Sequence, residues 1–264
     1  MSPLHTFLLT CIVVVAAKTI AWLIQLRTRN AGIVDAIWAW SLGGLALIYA
    51  AAGSAPAGTR LSLALMGGIW GLRLGTHLWR RNWGKPEDWR YARFRAGWGS
   101  RADRKMFWFF QFQNVFTLML SAAAFMPVAY RAAGPSAFWI GVAVVIWLVS
   151  VIGEGLADAQ MAEFRGNPAN KGRVCRAGLW RYSRHPNYFF ECVHWLAYLP
   201  LALGSPGAPS WGWISLLAPA VMAWLLMKLS GVPLLEAEMV KRKPGYADYV
   251  RSTSALIPWP PKCG

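Results

Sequence analysis

The chain alternates long runs of apolar residues with short basic segments, and the lengths of the apolar runs predict its elements. A helix needs about 20 apolar residues to cross the hydrocarbon core of a membrane. No run shows the period of two that is typical of a strand. Seven runs approach or exceed the required length, at approximately 4–25, 32–53, 61–79, 106–130, 137–160, 187–205 and 209–232. The pattern predicts an all-α integral membrane protein, a seven-transmembrane helix bundle that forms one membrane domain over residues 1–264.

The composition agrees with a membrane protein. Hydrophobic residues make up 56% of the 264 residues and charged residues only 14%, whereas soluble domains carry about a quarter charged residues. The first apolar run has no basic segment before it and no clear cleavage site, so we expect a retained helix rather than a signal peptide. The four cysteines have no metal or redox spacing, and no metal site is expected.

The positive charge of the chain predicts its orientation in the membrane. With the N-terminus outside, 23 of the 27 Lys and Arg residues fall on one side. The positive-inside rule places that side in the cytoplasm, with the C-terminus and the loops 80–105 and 165–185, which means the inner membrane if the source is bacterial. The net charge of +16 then reflects topology and contact with anionic lipid, and no basic segment carries a nucleic-acid-binding motif.

Two basic segments are predicted to have structure of their own. The third span should end near Gly84, and DWRYARFR (88–95) then has the composition of a short interfacial helix. The tail 236–261 is predicted to form a short amphipathic cytoplasmic helix, a turn at Pro244-Gly245, and a second short helix ended by Pro258.

Two carboxylates lie within or near the end of the predicted span 137–160. Glu154 and Asp158 are four residues apart and share a helix face, and Arg165 follows on the same face. A charge at membrane depth costs at least about 2.5–3.5 kcal/mol on insertion scales, so these residues are candidates for a functional site. A network of ion pairs along one helix is the alternative.

A second polar stripe begins the predicted span 187–205. Pro186 suits the first position of a helix, and Asn187, Glu191 and His194 recur on one face. The preceding loop is basic and lies next to the positive end of this helix, an arrangement that attracts an anion such as phosphate. The alternative is a headgroup anchor with a hydrogen-bonded histidine in the core.

Further polar residues occupy the earlier predicted spans. Asp35 begins the second span, and Arg73 and His77 share a face of the third. Together with the two stripes they could line a ligand cavity, or they could form interhelical hydrogen bonds and an Asp35–Arg73 ion pair. No GxGxxG motif follows a strand, so a Rossmann domain is not expected.

Four stretches resemble the steroid 5-alpha-reductase-like membrane enzymes and the bacterial membrane proteins of that superfamily. They are GLWRYSRHPNYFFECVHWLAYLP (178–200), NAGIVDAIWAWSLG (30–43), WGLRLGTHLWRRNWGKPEDWRY (70–91) and EAEMVKRKPGYADYVRSTSALIPW (236–259). The RHPNY element (184–188) is also similar to one in the sterol reductases and in the isoprenylcysteine carboxyl methyltransferases, and the methyltransferases share the tail pattern.

The resemblance implies a helix bundle that holds NADPH in a cytoplasm-facing cavity. Glu154 is a departure from the pattern, because the steroid reductases have an asparagine at that position. The basic residues Arg165, Lys171 and Arg173 are suited to the 2′-phosphate and pyrophosphate of NADPH. The candidate cofactor-binding residues are Glu154, Asp158, Arg165, Lys171, Arg173, Trp180, Tyr182, His185, Asn187 and Glu191.

The resemblance also implies an acid and a tyrosine that polarise the substrate carbonyl. The acid corresponds to Asp35, whereas the tyrosine position falls near Trp70 or Gly71, which cannot serve. Arg73 or His77 could replace it, or Tyr91 could reach in, so the candidate catalytic residues are Asp35, Arg73 and His77. A donor is needed because negative charge develops on the carbonyl oxygen when hydride reaches the β-carbon. Donation by Asp35 requires its protonated form, which an apolar site favours.

The expected function is NADPH-dependent reduction of a carbon–carbon double bond conjugated to a ketone in a steroid-like lipid, of the 3-oxo-Δ4-steroid 5α-reductase type. The alternatives are an S-adenosylmethionine-dependent methyltransferase of the isoprenylcysteine carboxyl methyltransferase type and a scaffold without catalysis. S-adenosylmethionine has no phosphate, so it gives the arginines of loop 165–185 no role beyond topology. Expected partners are the bilayer and a steroid-like or sterol-like lipid, without nucleic acid.

Overall fold

A computed structural model describes residues 1–262, and this part of the chain folds into helices without a β-strand, which confirms the predicted all-α class. The α-helices in chain order are α1 (Pro3–Thr28), α2 (Ile33–Ala52), α3 (Ala57–Asn82), α4 (Trp89–Trp98), α5 (Ala102–Ala129), α6 (Ala137–Gly166), α7 (Pro186–Leu196), α8 (Tyr198–Leu203), α9 (Leu217–Trp224), α10 (Val232–Arg242) and α11 (Tyr246–Ser252).

Within the described residues, five segments are long and apolar enough to cross a membrane, which indicates a membrane protein. They are Pro3–Thr28, Ile33–Ala52, Trp89–Ala129, Ala137–Gly166 and Gly212–Arg242. Each of these segments overlaps one of the seven spans that the sequence predicts. The other two predicted spans, 61–79 and 187–205, do not meet the same criteria of length and apolarity.

The two remaining predicted spans differ from the five in composition or continuity. Helix α3 is long enough but carries four arginines, Arg60, Arg73, Arg80 and Arg81. The expectation of one helix over 187–205 is wrong, because α7 ends at Leu196 and α8 begins at Tyr198. The polar stripe therefore lies on a helix of 11 residues, about 16 Å long at the usual rise.

The C-terminal segments are more broken than the pattern predicts. The expected helix 209–232 consists of α9 followed by a π-helical turn over Leu225–Leu229. Helix α4 lies where the sequence predicts a short helix, and α3 ends at Asn82, just before Gly84 in its left-handed conformation (φ 69°). Helix α11 ends at Ser252, before Pro258, because the Thr253 backbone is already extended (φ −122°, ψ 140°).

The chain divides into two compact units. The first comprises Met1–Ile140 and Pro200–Ser215, and the second comprises Gly141–Leu199 and Leu216–Gly264. In the first unit, α2 and α3 pack closely through glycines: a Cβ added at Gly71 would lie 2.6 Å from the Cα of Gly43. Small residues let helix backbones approach in this way, so α2 and α3 come close together where Gly43 meets Gly71.

Candidate functional site

The carboxylate of Asp35, in the first turn of α2, is held by two side chains of α4. The Tyr91 hydroxyl donates to Oδ1 of Asp35 at 2.6 Å, and Nη2 of Arg90 lies 2.9 Å from Oδ2. Tyr91 is 4% exposed, whereas the Asp35 side chain is 24% exposed. The structure therefore brings Tyr91 to Asp35, and Asp35 acts as the acceptor.

The start of α4 is fixed by the side chain of Asp88. Its Oδ1 accepts from the backbone N–H of Arg90 at 3.0 Å and from Nε of Arg90 at 2.9 Å. Burial alone would raise the pKa of Asp88, but the hydrogen bonds and charge of Arg90 outweigh burial and lower it. A carboxylate at this position caps the helix, so the same residue begins α4 and orients Arg90 toward Asp35.

A second arginine of α4 ties the helix to the rest of the first unit. Arg95 donates to Oε1 of Glu87 at 2.8 Å, to Oδ1 of Asp103 at 3.2 Å and to Oε1 of Gln25 at 2.8 Å. Glu87 in turn accepts from the backbone N–H of Ala31 at 2.9 Å. These bonds hold α4 against the start of α2, where Asp35 lies.

The first unit also buries a lysine that the sequence analysis did not include in the site. Lys18 of α1 has no exposed surface, and its Nζ donates to Oε1 of Gln113 at 2.8 Å and lies 3.5 Å from the Val34 carbonyl oxygen. A lysine in the middle of an apolar span was the available signal. Its partners follow only from the packing of α1 against α2 and α5.

The other two predicted catalytic residues lie on α3. Arg73 and His77 are half-buried and one helical turn apart, as the spacing predicts. The hydrogen bonds that define the surroundings of Asp35 come from α4. Sequence reasoning considered Tyr91 and gave Arg90 no role. Both residues reach Asp35 from α4, and α3 separates α4 from α2 along the chain, so no local pattern links them to Asp35.

In the second unit, α6 and α7 come into contact at Gly153 and Phe190, and each of these residues is followed in the sequence by a buried glutamate. A Cβ added at Gly153 of α6 would lie 2.3 Å from the ring of Phe190 of α7. Glu154 and Glu191 come next along each helix and are 4% and 6% exposed. Asp158 is half-buried one turn after Glu154. Because Gly153 has no side chain, α6 and α7 can pack closely at the position next to their two glutamates.

The polar stripe of α7 faces mainly inward. Glu191 and His194 are buried and Asn187 is half-buried. Oε1 of Glu191 accepts from Nε1 of Trp195 at 3.1 Å, and His194 shares a hydrogen bond with the Tyr198 hydroxyl at 3.1 Å. The histidine therefore has a hydrogen-bonding partner within its own region of the chain.

The loop before α7 is anchored on α6. The backbone N–H of Leu179 donates to Oε1 of Gln160, and Nε1 of Trp180 donates to the Ala157 carbonyl, both at 2.9 Å. Trp180 thus uses its ring N–H within the protein. Tyr182 is 41% exposed, so of these two predicted cofactor residues only Tyr182 presents its ring to the surroundings.

The RHPNY element is clamped by the C-terminal tail. Arg184 pairs with Glu236 of α10, with Nε 2.6 Å from Oε1, and also donates to the Val250 carbonyl at 2.9 Å. Nε2 of His185 lies 2.9 Å from the same Oε1 of Glu236, and its ring stacks on Tyr188. Both side chains are buried, so His185 is used to dock the tail. Sequence reasoning missed Glu236, whose place in the tail motif was the only signal.

A groove at the C-terminal end of α6 is lined by basic residues. Its lining includes Arg165, Lys171 and also Lys243, which follows α10. Nζ of Lys243 donates to the carbonyl oxygen of Arg173 at 2.8 Å. Two of the three cations that the sequence assigns to phosphate therefore meet here, whereas Arg173 contributes its carbonyl and exposes its side chain.

The second unit can thus offer cations to an anionic ligand and buried acceptors to polar hydroxyl or amide groups. A family model described as a protein of unknown function, DUF1295, matches residues 21–253. No similar protein of curated function and no similar solved structure was found. The activity therefore has to be argued from the residues of the chain itself.

Proposed function

The chain belongs to the DUF1295 family of proteins of unknown function, and we propose that it is a membrane reductase. It uses NADPH to reduce a carbon–carbon double bond conjugated to a ketone in a steroid-like lipid. The orientation and the seven spans expected from the sequence, with the basic loops and the amphipathic tail in the cytoplasm, are part of this proposal.

The observation that carries the proposal is the hydrogen bond between Tyr91 and Asp35. A carbonyl that receives negative charge needs a donor fixed in a site with little water. Tyr91 is almost fully buried and Asp35 fixes its hydroxyl at 2.6 Å. The phenol has one hydrogen, which can turn about the C–O bond from Asp35 to a substrate carbonyl while the ring stays in place. Arg90 at 2.9 Å then balances the charge of Asp35.

The residues of the second unit fit the parts of NADPH. Arg165 and Lys171 beside the groove suit phosphate. Glu154 and Glu191 are acceptors for ribose hydroxyls or the nicotinamide amide, and Asn187 can both donate and accept. When bound, NADPH supplies the hydride. The residues of this chain bind and orient it, exclude water, and stabilise charge on the substrate oxygen.

Ligand-dependent stability tests the proposal against its alternative. The detergent-solubilised protein is heated with NADPH, with NADH and with S-adenosylmethionine. A specific ligand at 100 times its Kd stabilises the native state by about 2.7 kcal/mol, so NADPH should raise the unfolding temperature more than NADH. A rise with S-adenosylmethionine and none with NADPH would replace the reductase by a methyltransferase. No rise with any of the three would favour a scaffold.

A further inference from the structure

Three cations converge on the groove at the C-terminal end of α6. Arg165, Lys171 and Lys243 are part of its lining, and the groove has about 550 Å³ of space, part of it open to solvent. None of its described lining residues is acidic. The C-terminal end of a helix adds about half a negative charge, which three cations outweigh. The groove therefore attracts a small anion with more than one charge.

The loop that carries Lys171, directly after Arg165 at the end of α6, is held in shape by its own polar groups. Nδ2 of Asn170 donates to the Phe164 carbonyl, and Oδ1 of Asn167 accepts from the Ala169 N–H, both at 3.0 Å. Gly172 has a φ of 80°, which a residue without Cβ adopts without strain. Little reorganisation is then needed when an anion binds, which favours affinity.

Lys243 reaches the groove from a different part of the chain. Its backbone N–H bonds the Met239 carbonyl at 2.9 Å and ends α10, while its Nζ bonds the Arg173 carbonyl at 2.8 Å. The backbone and the ammonium group of Lys243 are thus both held by hydrogen bonds. Burial and the neighbouring charge of Arg165 lower the pKa of this ammonium group. A bound anion would relieve the repulsion from Arg165.

We propose that Lys243 completes a phosphate-monoester site with Arg165 and Lys171, and that this site distinguishes NADPH from NADH by its 2′-phosphate. The second part rests on the proposed function. A phosphate monoester carries nearly two charges at neutral pH, whereas each phosphate of the dinucleotide pyrophosphate carries one. The monoester is therefore the better match for three cations.

The variant Lys243→Gln tests this site in the full-length detergent-solubilised protein. The variants Lys243→Arg and Lys241→Gln are its controls. Lys241 is an exposed lysine on α10, two residues before Lys243, so it controls for the loss of one charge. The probes are adenosine 2′,5′-bisphosphate, adenosine without phosphate and a short-chain phosphatidic acid. Loss of one charge-assisted bond should weaken bisphosphate binding about ten- to hundred-fold. Lys243→Arg and Lys241→Gln should stay within about three-fold of the unaltered protein.

The outcomes separate this inference from the proposed function. Bisphosphate and adenosine binding equally well to the unaltered protein, or equal bisphosphate affinity in Lys243→Gln, would overturn the site while leaving NADPH binding intact. Lys243-dependent bisphosphate binding without any NADPH binding would uphold the site and refute the reductase. Lys243-dependent binding of phosphatidic acid alone would assign the phosphate to a lipid headgroup and overturn the reading of the 2′-phosphate.

Discussion

The hydroxyl of Tyr91 lies 2.6 Å from Oδ1 of Asp35, although 56 positions separate the two residues. Asp35 begins a long apolar helix, and Tyr91 lies on a short helix whose own sequence is basic. The bond joins an acid at the edge of an apolar segment to a buried phenol, and Arg90 beside it balances the acid. The single hydroxyl hydrogen of Tyr91 is accepted by Asp35 in this structure, and the proposed function requires that hydrogen to turn to a substrate oxygen.

Replacing Tyr91 by Phe removes the donor and keeps the ring. We expect kcat for enone reduction to fall about 10²- to 10³-fold, the usual effect of deleting one such donor, with an unchanged Kd for NADPH. Tyr130→Phe is the matched control, because the Tyr130 hydroxyl bonds Thr6 at 2.5 Å elsewhere in the first unit. Steady-state kinetics and NADPH titration measure both.

Asp35→Asn should also lower kcat with little effect on NADPH affinity, because Asp35 positions the Tyr91 hydroxyl. Full activity in either Tyr91→Phe or Asp35→Asn would contradict the donor role. A loss of NADPH affinity equal to the loss of kcat would instead indicate a general structural defect.

Glu236→Gln should loosen the tail from the RHPNY element. It removes a charge from the Arg184 ion pair at 2.6 Å and leaves a buried guanidinium without its acid. The expected destabilisation is about 3 kcal/mol, as for other buried pairs that lose one partner. Thermal unfolding and the rate at which a protease cuts after α9 measure it.

Glu238→Gln is the control for Glu236→Gln, since Glu238 pairs with the half-exposed Arg242 on the same helix. Such surface pairs contribute about 0–1 kcal/mol. Equal stability of the two variants would mean that Glu236 does not hold the tail in place.

The phosphate site should lose affinity at a lower pH than a site with an ordinary lysine would, as the pH is raised into the alkaline range. Burial, together with the charge of Arg165, lowers the pKa of Lys243 from 10.5, and only the protonated amine binds phosphate. Affinity for adenosine 2′,5′-bisphosphate should therefore be complete near neutral pH and fall as the pH rises through a value below 10.5. The phosphate itself does not titrate there, because its second pKa is about 6.

Lys243→Arg provides the control for this titration, since an arginine stays protonated over the whole range. The fall in affinity should move to higher pH in that variant. Identical titration curves for the two proteins would show that Lys243 does not govern the pH dependence.

Gly71→Ala should separate α2 from α3. Its Cβ would lie 2.6 Å from the Cα of Gly43 and 2.8 Å from the Ala39 carbonyl oxygen, both backbone atoms that cannot turn away. Overpacking of this kind costs about 1–3 kcal/mol, and the unfolding temperature should fall. Gly44→Ala has nothing within 4 Å of its Cβ and should be neutral or slightly stabilising through helix propensity. Equal effects would contradict the close packing.

The helices could be predicted where the length of an apolar run alone determines the structure. The five segments that could cross a membrane each overlap a predicted span, because a long apolar run with few charges leaves a helix as the stable form in lipid. Sequence reasoning missed the breaks. The division between α7 and α8 lies at Ala197, three residues before Pro200. A proline cannot donate to the carbonyl four residues earlier, here that of Leu196, and its ring crowds that carbonyl, so Pro200 was the available signal.

The site was predictable in its residue types and less so in its pairings. Burial of Glu154 and Glu191 follows from helical spacing, and the meeting of Arg165 with Lys171 follows from their short separation. The pairs Tyr91–Asp35, Arg184–Glu236 and Lys243–Arg173 join segments more than 50 positions apart. Such contacts depend on tertiary packing, which periodicity does not encode.

Transfer of a labelled hydride tests the central claim most directly. The purified protein in lipid nanodiscs is given NADPH deuterated at the transferable position of the nicotinamide, together with a 3-oxo-Δ4-steroid, and the product is analysed by mass spectrometry and NMR. We predict a saturated ketone that carries deuterium on its former β-carbon, formed slowly or not at all by Tyr91→Phe. Methylation of a lipid acceptor with S-adenosylmethionine, without deuterium transfer to any of a panel of steroid and sterol enones, would contradict the account.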